Sequence, residues 1–247
     1  ATFESAPRPA GAIMLVGPDG TAVGSVSGGC VEGAVYELAA AAAAGAPAVL
    51  QRFGVSDDDA FAVGLTCGGI IDVFVERVSR ETFPELGEVV ADLRSQQPVA
   101  VATLIDGDPA RLGRRIVVWP DRTRGSLGTE GLDVAVTDDA RGMLAAGLTG
   151  VRRYGAKGER RVDEIAVFVA SYAPPPRMIV FGAIDFAAAV ARVGKFLGYR
   201  VTVCDARPVF ATPKRFPDAD EVVVEWPHKY LARTAVDDRT VICVLTH

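Results

Sequence analysis

The chain has 247 residues, 49% of them hydrophobic and 23% charged, which is a globular composition with material for one large domain or two ordinary ones. A net charge of −5 without any Lys/Arg-rich run excludes the usual nucleic-acid binder. Two histidines, His228 and His247, exclude His-rich metal ligation, and four scattered cysteines without a CxxC pair point to a reducing cytoplasm rather than a disulfide framework.

In chain order, Ile13–Val16 and Thr21–Val26 flank Gly17-Pro18-Asp19-Gly20 and predict a β-hairpin. Ser27-Gly28-Gly29-Cys30 leads into a helix from Val31 to Ala44, stopped by Gly45 and Pro47. Glu32, Glu37 and Pro47 interrupt this longest apolar stretch, so no membrane span is expected, and no signal-peptide pattern is present. Strands are predicted at Val49–Phe53 and Ile70–Val75, with the acidic loop Asp57-Asp58-Asp59 and the turn Gly64-Leu65-Thr66-Cys67-Gly68-Gly69 between them. The acidic loop suits solvent better than a cation. A one-sided apolar stripe predicts a helix over Glu81–Gln96. Strands Val99–Ile105 and Arg114–Val118, a helix near Asp138–Leu148, and strands Arg152–Tyr154 and Ile165–Tyr172 complete a mixed α/β domain, residues 1–173.

Pro174-Pro175-Pro176 is a stiff spacer that marks the boundary. Beyond it, at 177–247, come the apolar strand Met178–Phe181, a helix Phe186–Leu197 and a strand Arg200–Cys204 ending in Asp205. Strands Glu221–Val224 and Val241–Leu245 follow. Strand, helix, strand with apolar runs predicts a Rossmann-like parallel sheet. The chain stops directly after an apolar strand, which suggests that residues are missing at both ends and that this sheet is truncated at the C-terminus. No internal repeat is evident. Cys204 and Cys243, within apolar strands, read as core residues.

Two constellations carry chemistry. A cysteine at a helix start meets free backbone N–H groups and the positive end of the helix dipole, which favour thiolate over thiol. Gly28 and Gly29 remove side chains from the approach to Cys30, so a bulky ligand can reach both sulfur and amides. Glu32 opposes the thiolate by its charge, or anchors a ligand N–H or a neighbouring loop. The plain alternative is a helix-start cysteine behind an ordinary turn. A second glycine-rich turn, Cys67-Gly68-Gly69, beside a strand able to bring it near the first, favours function. The spacing does not suit structural zinc. Arg8, bracketed by Pro7 and Pro9, presents a guanidinium suited to a phosphate or a pterin carbonyl, or simply to solvent.

The second constellation is Phe181-Gly182-Ala183-Ile184-Asp185-Phe186-Ala187, between strand and helix where a GxGxxG turn would lie. Gly182 is in place, but Ile184 takes the second glycine position and Asp185 brings negative charge where a pyrophosphate would sit. Asp205 remains available for ribose hydroxyls and Arg207 for a 2′-phosphate, so binding of NAD(P) stays open beside a structural or interface role.

Taken in order, Ser5-Ala6-Pro7-Arg8-Pro9-Ala10-Gly11, Ser27-Gly28-Gly29-Cys30-Val31-Glu32 and Gly64-Leu65-Thr66-Cys67-Gly68-Gly69 resemble the motif series of the xanthine dehydrogenase accessory family (the XdhC/CoxI type). Cys204-Asp205-Ala206-Arg207-Pro208, Arg215-Phe216-Pro217 and Val244-Leu245-Thr246-His247 extend the resemblance over nearly the whole chain. The family usually has Gly-x-Gly where this chain has Gly182-Ala183-Ile184. The resemblance implies an accessory factor rather than a stand-alone enzyme. Its N-terminal domain would bind molybdenum cofactor (molybdopterin), and its C-terminal domain would be Rossmann-like. Carried over residue by residue, it makes Cys30 and Cys67 the reactive cysteines, with Cys30 the contact to molybdenum, and it implies a molybdenum hydroxylase client, a sulfurtransferase contact and a homodimer. Molybdenum is thiophilic, so a soft thiolate suits a transient hand-over.

Overall fold

The computed structural model describes residues 2–3, 8–54 and 70–246, and the chain divides into two compact units, Ala1–Ala173 and Pro174–His247. In the first unit, β1 (Thr2–Phe3) pairs with β5 (Ile70–Val75), which pairs with β4 (Val49–Phe53), all antiparallel. A hairpin of β2 (Met14–Val16) and β3 (Ala22–Gly24) leads into α1 (Glu32–Ala43), which packs on β5.

A larger antiparallel sheet has the order β8-β7-β6-β10-β9. Its strands are β6 (Val99–Asp106), β7 (Arg115–Val118), β8 (Thr123–Gly125), β9 (Gly150–Tyr154) and β10 (Ile165–Tyr172). The strict alternation of strand side chains sorts its apolar residues onto two faces. Ala100, Ala102, Ile116 and Val118 face α3 (Glu130–Ala146), while Val99, Val101 and Val117 pack with Phe83, Trp119 and Val89 of α2 (Leu86–Arg94).

These two halves are one motif built twice, which the sequence reading missed. The segments Ala22–Gly24 and Thr123–Gly125, and likewise Val49–Phe53 and Gly150–Tyr154, lie 101 positions apart. The strand registers agree: Phe53 opposes Ile71 as Tyr154 opposes Ile165, and Val49 opposes Val75 as Gly150 opposes Val169. So do the cores. Met14, Val26, Val31, Val35, Phe53, Ile71, Val73 and Val75 correspond to Ile116, Leu127, Leu132, Val136, Tyr154, Ile165, Val167 and Val169. Even the backbone crossing after each hairpin repeats. At Gly24 (φ +89°) an added Cβ would lie 2.3 Å from the Ile13 carbonyl oxygen, and at Gly125 (φ +90°) 2.3 Å from that of Arg115. Only glycine fits either place. The repeat escapes a sequence comparison because its spacing drifts from 102 at the first strand to 94 at the last, and because matching positions hold apolar residues that any buried strand or helix carries.

In the second unit β11 (Arg177–Phe181), β12 (Arg200–Asp205), β13 (Glu221–Val224) and β14 (Val241–Val244) form a parallel sheet in the order β13-β12-β11-β14. The helix α4 (Asp185–Phe196) links β11 to β12, and α5 (Pro227–Arg233) precedes β14. This is the Rossmann-like order the apolar runs predict.

Several expectations need correction. The helix expected near Asp138–Leu148 starts two turns earlier, at Glu130, where acidic residues of the first turn complement the dipole, and it ends where Gly147 turns left-handed at φ 67°. The helix expected over Glu81–Gln96 is shortened to Leu86–Arg94, because Ser79 and Thr82 bond each other's backbone N–H in a separate turn. The helix α5 and the polar strand β8 carry no apolar run and went unseen. Cys204 is buried as expected, but Cys243 is half-exposed because β14 is an edge strand among the described residues. Among those residues no helix is long and apolar enough to cross a membrane.

Candidate functional site

The turn between β3 and α1 holds Cys30. Gly28 (φ +87°) and Gly29 (φ +124°) adopt left-handed conformations that other residues resist. A Cβ at either would meet nothing within 4 Å. The two glycines are exposed, so the mouth of the turn is open, and Cys30 is half-buried behind them against the core of the first motif copy.

The carboxylate of Glu32 organises this turn. One oxygen accepts the Ser25 hydroxyl at 2.6 Å, the Ser27 N–H at 2.9 Å and the Gly28 N–H at 3.0 Å. The other accepts the Ser27 hydroxyl at 2.5 Å, the Gly29 N–H at 2.8 Å and the Val31 N–H at 3.2 Å. The Ser27 hydroxyl oxygen in turn accepts the N–H groups of Cys30 and Val31, which ties the turn together just before α1. Partial burial works against charge on Glu32, but hydrogen bonds from Ser25 and Ser27 outweigh it and hold the carboxyl well below the usual carboxylate range. Of the roles open to Glu32 in the sequence, anchoring a loop is the one seen, and the loop is its own. This changes the expectation for the glycine amides. Those of Gly28 and Gly29 are not free for a ligand, because the protein supplies its own anion to them. Ser25 and Ser27 were missed, although serines preceding a first-turn glutamate are a capping-box-like signal.

The second motif copy shows which part of this turn is scaffold. There Asp133 stands where Glu32 does, accepting the Ser126 hydroxyl and the Leu127 N–H, both at 2.7 Å. The thiol has no counterpart. Cys30 corresponds to Gly131, where an added Cβ would lie 2.2 Å from the Lys157 carbonyl oxygen. The serine–carboxylate clasp therefore belongs to the fold, and Cys30 is what distinguishes the first copy.

Arg8 is exposed and donates to the Ser25 carbonyl at 3.3 Å, which brings its guanidinium to the rim of the turn. Cys67, Gly68 and Gly69 lie outside the described residues, as do Asp57, Asp58 and Asp59. Among the described residues no group of three His, Cys, Asp or Glu side chains could hold a metal ion.

The second constellation is arranged for a different purpose than nucleotide binding. The Gly182 N–H bonds the Cys204 carbonyl, and a Cβ at Gly182 would lie 3.1 Å from the Leu245 carbonyl carbon. Asp205 is buried and fully engaged: it accepts the Ala183 N–H at 2.8 Å and the Arg207 guanidinium at 2.8 and 3.0 Å. The Arg207 guanidinium holds the Asp205 carboxyl well below its ordinary value. Arg207 itself lies over the Phe210 ring, 4.6 Å from its centre. Ile184 occupies the second glycine position, and Asp185 is exposed and paired with Arg215. The amide and carboxylate that a dinucleotide would use thus bind each other, and the residues present do not fit NAD(P). Burial pushes the Cys204 thiol up to about 11, as suits a core cysteine.

Comparison with known proteins agrees with this architecture. The chain is 27% identical over 253 aligned residues to a probable xanthine dehydrogenase subunit of Bacillus subtilis (strain 168), covering 98% of this chain and 68% of that protein. A crystal structure of a xanthine dehydrogenase from Bacillus halodurans, 23% identical, superposes with a TM-score of 0.66 over 100% of this chain and 68% of that one, which shows a shared fold. The model of the XdhC and CoxI family matches residues 1–54 and 92–155, the stretches that hold the two turns, and that of the XdhC Rossmann domain matches residues 178–247. Matched in order over most of its length, the chain belongs to the XdhC and CoxI family.

Proposed function

We propose that the chain is an accessory factor that binds molybdenum cofactor and delivers it to a molybdenum hydroxylase of the xanthine dehydrogenase type. The observation that carries this reading is the half-buried Cys30 behind two exposed glycines, Gly28 and Gly29, in a turn whose shape is fixed in advance by Glu32. A soft sulfur suits molybdenum, and one or two thiolate contacts allow release as well as capture. The likeness to a probable component of xanthine dehydrogenase supports the choice of client.

In this reading Cys30 contacts the metal and Cys67 assists, by contact or by passing sulfur from a sulfurtransferase. Arg8 takes the pterin phosphate, because the Gly28 and Gly29 amides are committed to Glu32. Metal binding and hand-over both take place in the first unit, in the cytoplasm, and the second unit serves in assembly of a homodimer. The test is anaerobic purification from a cofactor-producing host, with molybdenum and pterin measured per chain for wild type, Cys30→Ala and Cys67→Ala. The expected result is loading lost in Cys30→Ala and reduced in Cys67→Ala. Equal loading in all three overturns the cysteine-centred reading.

A further inference from the structure

Between the β7–β8 hairpin and α3, the second motif copy leaves a groove of about 530 Å³, a volume typical of small-ligand sites. One stripe of the helix lines it, Glu130, Val134, Thr137, Asp138 and Arg141, together with Thr123 of β8. Gly131, where the Lys157 main chain closes the helix start, lies outside this lining. In the first copy, 101 positions earlier, Tyr36 stands in the place of Thr137, Ala40 in that of Arg141 and Ala22 in that of Thr123. There the Tyr36 hydroxyl donates to the Gly20 carbonyl at 3.2 Å, so its ring bridges the same space from α1 to the hairpin tip. The fold therefore does not require the guanidinium or the two hydroxyls, because the first copy is built without them.

Arg141 is half-buried, and its Nε is shut away from solvent without an acceptor. Among the described residues its guanidinium has neither a hydrogen bond nor an ion pair. A buried N–H left in that state is costly and calls for a partner. Two exposed carboxylates in the same stripe likewise have no ion pair among the described residues. Asp138 lies one turn from Arg141, and Glu130 is about 12 Å further back along the axis. Asp138 acts on Arg160 only through space, because that guanidinium is bonded to Asp139. Other polar groups of the groove are engaged: the Ser126 hydroxyl donates to Asp133 and that of Thr129 to the Ala156 carbonyl. What remains is one cation, two anions and the hydroxyls of Thr123 and Thr137.

We propose that this groove binds a free α-amino acid with a cationic side chain, of the lysine kind. Its charges are the complement of those in the groove. The carboxylate takes the planar fork of Arg141, and the α-ammonium group takes Asp138. The side-chain cation reaches toward Glu130, with its methylenes over the exposed Val134. An α-amino acid carries both main charges on one carbon, which suits a cation and an anion one turn apart on a helix. A phosphate would satisfy Arg141 but would be repelled by the Glu130 and Asp138 carboxylates. A simple carboxylate would leave both acids unanswered. The site needs neither Cys30 nor a metal, so the inference goes beyond the proposed function and stands apart from it.

The test is isothermal titration calorimetry of the full chain with L-lysine, with L-norleucine, which lacks the side-chain amine, and with inorganic phosphate. It is repeated on Arg141→Gln and on Thr137→Tyr, the second of which closes the groove as Tyr36 does in the first copy; thermal melting verifies that both fold. The expected result is saturable heat with L-lysine, weaker binding of L-norleucine, and at least a ~10-fold loss of L-lysine affinity in each variant, as removal of a charge-assisted bond implies. No saturable heat with L-lysine at millimolar concentration overturns the inference. So does unchanged affinity in both variants, or L-norleucine or phosphate binding as tightly as L-lysine. Because no molybdenum is involved, a failure here is distinct from a failure to load the cofactor.

Discussion

Replacing Glu32 should collapse the turn that presents Cys30, and the size of the effect can be worked from the hydrogen bonds. Six donors converge on this carboxylate. Gly28 and Gly29 are exposed, so water can take over their N–H groups at small cost. Ser27 is only 1% exposed, and its N–H has Glu32 as its partner. Leaving that donor unsatisfied costs about 1–3 kcal/mol. Glu32→Ala should therefore destabilise the first unit by about 1–3 kcal/mol, a drop of about 0.5–1.5 M in urea midpoint at a typical slope. Glu32→Gln should do nearly as badly, because its NH₂ group faces donors where an oxygen accepted three bonds. The assay is urea unfolding followed by the fluorescence of buried Trp119, in a Trp226→Phe background that silences the second unit. The acid dependence gives an independent check. The carboxyl is depressed in the folded state, so its stabilisation is complete above the ordinary glutamate value of 4.5 and is lost as pH falls below it. Wild type should lose stability in that range more steeply than Glu32→Gln. A midpoint shift under about 0.3 M, with the same acid dependence in both proteins, refutes the reasoning.

The repeat predicts matched responses. Gly24→Ala and Gly125→Ala each force a Cβ onto a carbonyl oxygen 2.3 Å away and should each cost upwards of about 3 kcal/mol, whereas Gly28→Ala, with free space around it, should cost only the backbone strain of about 1–2 kcal/mol. Urea midpoints of the three variants check this, and a Gly24→Ala chain as stable as Gly28→Ala would contradict it. For the second unit, titration of the full chain with NAD or NADP to millimolar concentration should show no heat, while Asp205→Asn should lower the stability of that unit by about 1–3 kcal/mol through loss of the Ala183 and Arg207 bonds. Saturable heat with either nucleotide would overturn the reading of Asp205 as a clamp.

Much of this fold was legible in the sequence wherever apolar periodicity carries it. The limits of Val49–Phe53, Ile70–Val75, Ile165–Tyr172 and Glu221–Val224 read from the residues are those observed. What escaped was set by tertiary contacts. The strand β8, Thr123-Arg124-Gly125, is exposed at all three residues and exists because β7 beside it offers backbone partners. The first turns of α3 were hidden by Gly131, whose absence of a side chain is demanded by the Lys157 backbone rather than by any local preference. At the candidate site the residue types and the open glycine turn were readable, but the destination of the amides was not. Glu32 is adjacent to the turn in sequence, and only the path of the chain through two left-handed glycines brings six donors onto its two oxygens.

A motif present twice in one unit divides labour between its copies. Where Lys157 crowds the helix start, the later copy is sealed and can be spent on rigidity. The earlier copy, relieved of that duty, keeps two exposed glycines at its entrance and has room for a cysteine there. Any attempt to transplant the thiol to Gly131 would meet a wall of main chain, so of the two copies only the earlier offers such a doorway, by construction and not by accident of composition.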